Sequence, residues 1–416
     1  HGQRLANGAD VLVSASRMGS DGHPTMYFPY FDAMGQRQGV ARNLDAEHGT
    51  RLLGKFALDG LSLQAAWASR DKLVPYAFRG QPQRFGLFRE MKDESAYLQV
   101  KYDYALSPVL KASTQAYRAH YENNAMFEYP GDRPQTQYLR SRIGGSWWGL
   151  DQTFVLTSLD GLTLVWGGGY RRDDKQQFRW DYHAADRTFA SVHPDAFDYD
   201  TRLFNLFVAG DFALSDRARL NAGLRYDKAK VSDCSVTPCR QHALPAQLLP
   251  RLGWVFTPQA HTTLKLSHSR AFRLPSANDM PVLGRDLLHQ VSRVSLNEAV
   301  LMHDLSPRTR VTGSIYRFRV SGEFMLDPQT GKNVYDAKTQ TSGAEVQFET
   351  ETVQRHRLRG SLAWQNAKDP IGAQQVNSPH LLAKLQASAP VWDNRFRLGL
   401  ETLWVGSRLT SPLIDG

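Results

Sequence analysis

Hydrophobicity alternates residue by residue through stretch after stretch of this chain, a pattern that a helix cannot use. From Arg219 to Asp227, Leu220, Ala222, Leu224 and Tyr226 fall on one side of an extended strand, and Arg219, Asn221, Gly223, Arg225 and Asp227 on the other. The same split separates Ala344, Val346 and Phe348 from Glu345, Gln347 and Glu349. It also separates Leu358, Gly360, Leu362 and Trp364 from Arg357, Arg359, Ser361 and Gln365. Successive side chains of a strand point to opposite faces, so each stretch has one apolar face and one polar, often charged, face. No window reaches the roughly 18 consecutive apolar residues of a transmembrane helix.

Tight turns join these strands in pairs. Asn7-Gly8, Asp59-Gly60 and Asp160-Gly161 offer the positive φ angles of short hairpins, and Ser107-Pro108 and Ser306-Pro307 pre-set type I turns. Further tight turns fit at Ser215-Asp216, Pro258-Gln259, Gln354-Arg355 and Pro390 to Asp393, nine in all. Between them run long connections rich in Gly, Pro, Asn, Asp, aromatics and charge, over 19–43, 71–93, 120–145, 173–200, 228–250, 273–294, 327–342 and 366–379. The repeat of roughly 40 to 55 residues is the length of one strand up, one long loop and one strand down. Nine tight turns predict 18 strands, the first cut short at His1.

A β-propeller repeats at a similar length but fits four short strands into each blade. Here each period holds two strands of about 8 to 11 residues, enough to cross a bilayer when tilted. Short turns on one side and long loops on the other describe an all-β protein: a transmembrane antiparallel up-and-down β-barrel, one domain over residues 1–416. Tyr102, Tyr104, Trp166, Tyr170, Phe204, Phe212 and Trp404, near strand ends, fit interfacial girdles. So many strands enclose a lumen too wide for side chains to fill, so it is an aqueous pore or is plugged by another segment. The function must concern passage of a solute.

Composition narrows the alternatives. The 416 residues carry 50 Lys+Arg against 41 Asp+Glu, a net +9, yet no run of five basic residues occurs. A basic lumen, or a rim facing lipopolysaccharide, accounts for that charge with less strain than nucleic acid does. No G-x-S-x-G, H-E-x-x-H, P-loop or dinucleotide fingerprint is present, so no catalytic residue, cofactor or resident metal is expected. Gly167-Gly168-Gly169 reads as a bend or a close-packing point in a strand. Cys234 and Cys239, with Pro238 in the gap, suit a small disulfide closing a loop tip in an oxidising compartment; two free thiols fit the sequence nearly as well.

The segment Leu249-Pro250-Arg251-Leu252-Gly253 and, after a turn, Ser269-Arg270-Ala271-Phe272-Arg273-Leu274-Pro275-Ser276 resemble the barrel of TonB-dependent outer-membrane receptors. Leu220 to Asp227, Ser342-Gly343-Ala344-Glu345, Asn377-Ser378-Pro379 and the stretch from Tyr27 to Glu47 are similar to further elements of that family, in the same order. Leu274 departs from the Ala usual at its position, and the family's "NPxLxPE" pattern gives way to Asp286-Leu287-Leu288-His289-Gln290. The family's barrels have about 22 strands around a plug. The resemblance therefore implies a fragment with about 18 of them, lacking the plug, the first strand and the last strands. It also implies the outer membrane of a Gram-negative bacterium, TonB as a partner through the missing plug, and uptake of a large scarce solute such as an iron-siderophore or another metal chelate. A passive porin-like channel is the alternative.

Candidate ligand-binding groups sit in the long loops. Arg79, Arg84, Phe85, Arg133, Tyr138, Arg171, Arg172, Trp180 and Tyr182 are suited to an anionic, aromatic-rich chelate, with bidentate contacts from Arg and stacking from the rings. They would suit anionic lipopolysaccharide equally. By the resemblance His289 could ligate haem, although a solvated loop histidine is the simpler reading; His183 and His193 invite the same pair of readings. Asp173, Asp174, Asp195, Asp198 and Asp200 could hold calcium or merely be solvated.

Overall fold

The structure, a computed structural model, describes residues 1–33, 35, 37–74, 89–128, 138–159, 161–184, 186–192, 197–235, 237–274, 291–326, 333–392 and 395–409. Among these residues the main sheet has twenty strands, eighteen of which follow one another in chain order as an antiparallel meander. They are β1 (Gly2–Arg4), β2 (Asp10–Ser20), β3 (Glu47–Leu58), β4 (Leu61–Leu73), β5 (Arg89–Ala105), β6 (Leu110–Glu128), β7 (Tyr138–Leu159), β8 (Leu162–His183) and β9 (Phe197–Ser215). The second half holds β10 (Ala218–Asp233), β11 (Gln247–Gln259), β12 (Thr262–Arg273), β13 (Ser292–Ser306), β14 (Thr309–Leu326), β15 (Asn333–Glu351), β16 (Arg357–Lys368), β17 (Leu381–Val391) and β18 (Phe396–Val405). The other two strands are short: Phe189–Val192 adds to β8 and Arg240–Ala243 to β10, each from the long connection that follows.

Two ladders one residue apart show what the alternation builds. Following partners from β1 to β11, one ladder reads Arg4, Asp10, Ala57, Ser62, Lys101, Gln115, Asp151, Gly169, Asn205, Asp227 and Gln247. Its neighbour, from β2 to β9, reads Val11, Phe56, Leu63, Val100, Ala116, Leu150, Tyr170 and Phe204. One is polar and the other apolar. Because directly opposed residues of a pleated sheet share a face, each ladder belongs to one surface.

The burial of these surfaces is the reverse of a water-soluble sandwich. Asp227 is 1% exposed and Asn205 8%, whereas Leu206 is 51% exposed and Ile315 63%. A face that displays rows of Leu, Ile, Phe and Trp while carboxylates are hidden on the other is suited to lipid rather than water. The apolar core lies on the inner face toward the long loops, where Phe178, Tyr199, Ala229, Val231, Leu244 and Val291 pack together. No helix among the described residues is long and apolar enough to cross a membrane, which says nothing about crossing by strands.

All nine hairpins are present among the described residues, outside which Asp160 and Asp393 lie, and two turns fall later in the chain than expected. Pro390 and Val391 still belong to β17, paired with Arg397 and Phe396, so that turn follows Val391. Gln259 still pairs with Thr262 after a register shift that follows Phe256, so the turn is at Ala260-His261 rather than Pro258-Gln259. Strands are also longer than the expected 8 to 11 residues, reaching 22 in both β7 and β8. Hairpins continue past the apolar belt, where both faces are packed or wet; hydrogen bonding persists there after the two-faced pattern has ended. Among the described residues β1 pairs only with β2 and β18 only with β17, and all ten residues of β18 are exposed. Cys234 and Cys239 are joined in a disulfide, with 4.3 Å between their Cα atoms.

Candidate functional site

Inner-face positions on β6 to β10 build a polar wall near the long loops. Gly149 and Gly169 are bare because their neighbours fill the space: a Cβ at Gly149 would collide with the Tyr117 ring, and one at Gly169 with the Asp151 carboxylate. Arg171, two residues beyond Gly169, therefore shares this face. Its Nε lies 2.5 Å from Asp173, and its guanidinium sits 5.2 Å from the Trp147 ring centre, a cation–π contact. Arg225 donates from Nε and a terminal nitrogen to the two oxygens of Asp227, at 2.7 and 2.8 Å. The two arginines, with Tyr199, Thr201 and Phe272, line a cavity of about 410 Å³. Each cation is fixed by an acid, Asp173 or Asp227, that borders the same cavity, and part of each guanidinium remains exposed. Such fixed donors suit planar anionic groups.

A second ladder crosses β13 to β18 close to the tight turns. Its members are Asp304, Arg310, Glu349, Arg359, Gln386 and Glu401. Arg310 lies 2.6 Å from Asp304, Arg359 3.0 Å from Glu349, and Gln386 donates to Glu401 at 2.9 Å. These residues border a wide cavity of about 1000 Å³. Their alternating signs satisfy one another, so this wall offers a wet polar surface rather than a charged trap.

The structure separates several residues that the sequence groups together. Arg172, adjacent to Arg171, lies with Tyr170 on the outer face and contacts Asp174 at 2.7 Å and Asp200 at 3.7 Å. A register shift between Asp174 and Gln177 carries β8 into its loop-side end. There Trp180 donates to the Ser141 hydroxyl at 3.1 Å and packs on the core, and Tyr182 packs beside Leu139 and Ala125. Tyr138 stacks under the Arg187 guanidinium at 5.3 Å. His183, nearly buried, has Nδ1 2.9 Å from the Arg187 carbonyl. Arg79, Arg84, Phe85, Arg133, His289, His193 and Asp195 lie outside the described residues. Among the described residues no three His, Cys, Asp or Glu side chains come together as a metal site. No motif marks Arg225, Asp227, Tyr117, Trp147 or Asp151 as site residues, although the alternation of residues 219–227 places Arg225 and Asp227 on the polar face.

In the segment between β2 and β3, Lys72 on β4 reaches the Asp45 carboxylate at 2.6 Å and its carbonyl at 2.8 Å, and the His23 N–H donates to the same carboxylate at 3.0 Å. The Lys72 contact and then the His23 N–H hold the Asp45 carboxyl below its ordinary value.

The comparisons agree with this geometry. The family model "TonB dependent receptor-like, beta-barrel" matches residues 41–413. Among solved structures, the unliganded ferric citrate transporter FecA superposes with a TM-score of 0.75 at 12% identity, covering 98% of this chain and 62% of FecA. The siderophore receptor PiuA from Acinetobacter baumannii gives 0.69 at 12%, covering 97% and 68%. The copper transporter OprC gives 0.66 at 16%, covering 93% and 61%. Among curated protein sequences none matches significantly. The eighteen-strand meander and the family match over nearly all of it lead to one conclusion: this chain belongs to the TonB-dependent receptor family and forms β-barrel wall of that kind.

Proposed function

We propose that this chain is the barrel wall of an outer-membrane receptor for energised uptake of a large, scarce, anionic metal chelate, of the iron-siderophore kind. The observation that carries the reading is the inner-face cavity where Arg171 and Arg225, each fixed by a carboxylate, sit among Trp147, Tyr199 and Phe272. Arginine forks take the charged rim of a chelate and the rings take its flat faces. A solute at low concentration must be captured tightly before it crosses, which open diffusion through a wide lumen cannot do. In this reading a plug domain outside residues 1–416 fills the lumen, and TonB, acting on that plug, brings energy from the inner membrane, because the outer membrane holds neither an ion gradient nor ATP. Members of the family are receptors and transporters, and the chemistry needed here is binding and release rather than bond breaking.

Binding to the purified full-length receptor tests this reading. A panel of ferric citrate, ferric catecholate and ferric hydroxamate chelates, titrated by tryptophan quenching, is expected to contain at least one tight ligand. Arg171→Ala and Arg225→Ala each weaken that ligand by roughly tenfold or more, the loss of one charge-assisted contact. If neither substitution changes the affinity of any chelate, this cavity is not the ligand site. If no chelate binds and small sugars cross reconstituted membranes freely, the protein is a passive channel.

A further inference from the structure

The outer face of β8, β9 and β10 changes character in one step. Its apolar rows end at Tyr170, Phe204 and Tyr226, and the next outward positions toward the long loops are Arg172, Arg202 and Lys228, followed on β10 by Lys230. Register places Arg202 directly opposite Lys230, and Lys228 opposite Phe204. Like charges directly opposed across an antiparallel pair repel each other. Arg202, Lys228 and Lys230 are all exposed, and among the described residues none has an acidic partner. The two nearest acids on this face are engaged elsewhere: Asp174 with Arg172 and Arg118, at 2.7 and 3.8 Å, and Asp200 with Arg172 and the Lys175 N–H, at 3.7 and 2.9 Å; Asp198, one step further toward the loops, lies near Lys175.

Three uncompensated cations on two adjacent strands call for an anion from outside. The surface immediately below them says which kind, because Phe204, Leu206, Val208 and Leu224 form a continuous exposed apolar strip. A free phosphate would use the cations and leave the strip idle. A lipid uses both, with its headgroup on the cations and its chains along the strip.

We propose that Arg202, Lys228 and Lys230 form a headgroup site for a multiply phosphorylated lipid of the outer leaflet, whose acyl chains lie along Phe204, Leu206, Val208 and Leu224. This assignment rests on the outer-membrane reading above and adds to it a defined lipid position on the wall. Arg202 and Lys230 share one phosphate, which removes their mutual repulsion, and Lys228, one step closer to the belt, takes a second.

The test uses the full-length receptor in dodecyl maltoside, titrated with diphosphoryl lipid A or with lipid A stripped of both phosphates and followed by native mass spectrometry. At roughly fivefold per interfacial cation, Arg202→Gln/Lys228→Gln/Lys230→Gln is expected to lose on the order of a hundredfold in lipid A affinity. Stripped lipid A should bind the unaltered receptor as poorly as intact lipid A binds the variant. Equal retention of diphosphoryl lipid A by the variant, or equal binding of both lipids by the unaltered receptor, overturns the proposal. Heat-modifiable migration is measured alongside. A triple variant that no longer folds is replaced by Lys228→Gln alone, with roughly a fivefold loss expected. If the unaltered receptor itself fails to insert into bilayers, the outer-membrane reading fails instead, and the two outcomes are distinct.

Discussion

Asp227 has no exposed side-chain surface, and both its oxygens are held by Arg225, two residues earlier on the same strand and the same face. That relationship explains how the inner wall can carry charge. The carboxylate is buried between Asn205 and Gln247 in the polar ladder, and the half-exposed guanidinium both neutralises it and faces the cavity.

Removing the cation should therefore cost stability as well as binding. Arg225→Ala leaves a buried carboxylate unpaired and is expected to destabilise the barrel by about 2 kcal/mol, below the full value for a wholly buried pair because Arg225 is partly solvated. Asp227→Asn keeps the shape and loses less. The temperature at which the folded gel band converts to the unfolded one reads the order, with Arg225→Ala lowest.

The glycine run on β8 is a close-packing device, as the sequence suggests. A Cβ at Gly167 would collide with the Gln152 carbonyl and one at Gly169 with the Asp151 carboxylate, whereas nothing lies within 4 Å of a Cβ at Gly54 or Gly313. Gly167→Ala and Gly169→Ala are expected to cost about 1–3 kcal/mol each and to lower the folded fraction after refolding. Gly54→Ala and Gly313→Ala should leave it within about 0.5 kcal/mol.

Lys72 pins the segment between β2 and β3 through Asp45, and the contact should be pH-dependent in a definite direction. The Asp45 carboxyl is held below its ordinary value by Lys72, then by the His23 N–H. A lowered folded value means that the stabilisation is complete above the ordinary carboxylate range and is lost as pH falls through the lowered one. Amide hydrogen exchange over residues 21–46 should be roughly two- to fivefold faster in Lys72→Met than in the unaltered protein at neutral pH. The two proteins should converge on acidification. Equal protection at pH 7 would mean that the ion pair does not restrain the segment.

The sheet's outermost strands make a further expectation. β18 has one partner among the described residues and is exposed along its whole length. Unpaired backbone groups at such an edge are costly in lipid. Residues 1–416 refolded alone into detergent should give little or no heat-modifiable monomer. A discrete, heat-modifiable β-rich monomer would show that the two edges find another partner.

Much of this architecture was legible in the sequence because a barrel wall repeats one physical rule. Each strand must offer one face to lipid and one to water, so stretches such as Leu220 to Tyr226 state their own orientation. Turn residues such as Asp59-Gly60, where both take positive φ angles, mark where strands reverse. What the sequence hides is whatever breaks the period of two. The register shift after Asp174 and the continued pairing of β7 and β8 past the belt leave no alternation to read. The site was harder still. Treating Arg171 and Arg172 as neighbours in a loop misses that adjacent strand residues face opposite ways, one toward the cavity and one toward the lipid side. Arg225 and Asp227 were visible as a polar face, but their union is a fact of packing.

Energised uptake is the central claim, and its most direct measurement is transport in cells that produce the full-length receptor. Iron-55 supplied as the tightest-binding chelate should accumulate saturably, and accumulation should stop when TonB is deleted or the inner-membrane proton gradient is collapsed, while surface binding persists. Accumulation that rises linearly with chelate concentration and is indifferent to both treatments would contradict the account and leave a passive pore.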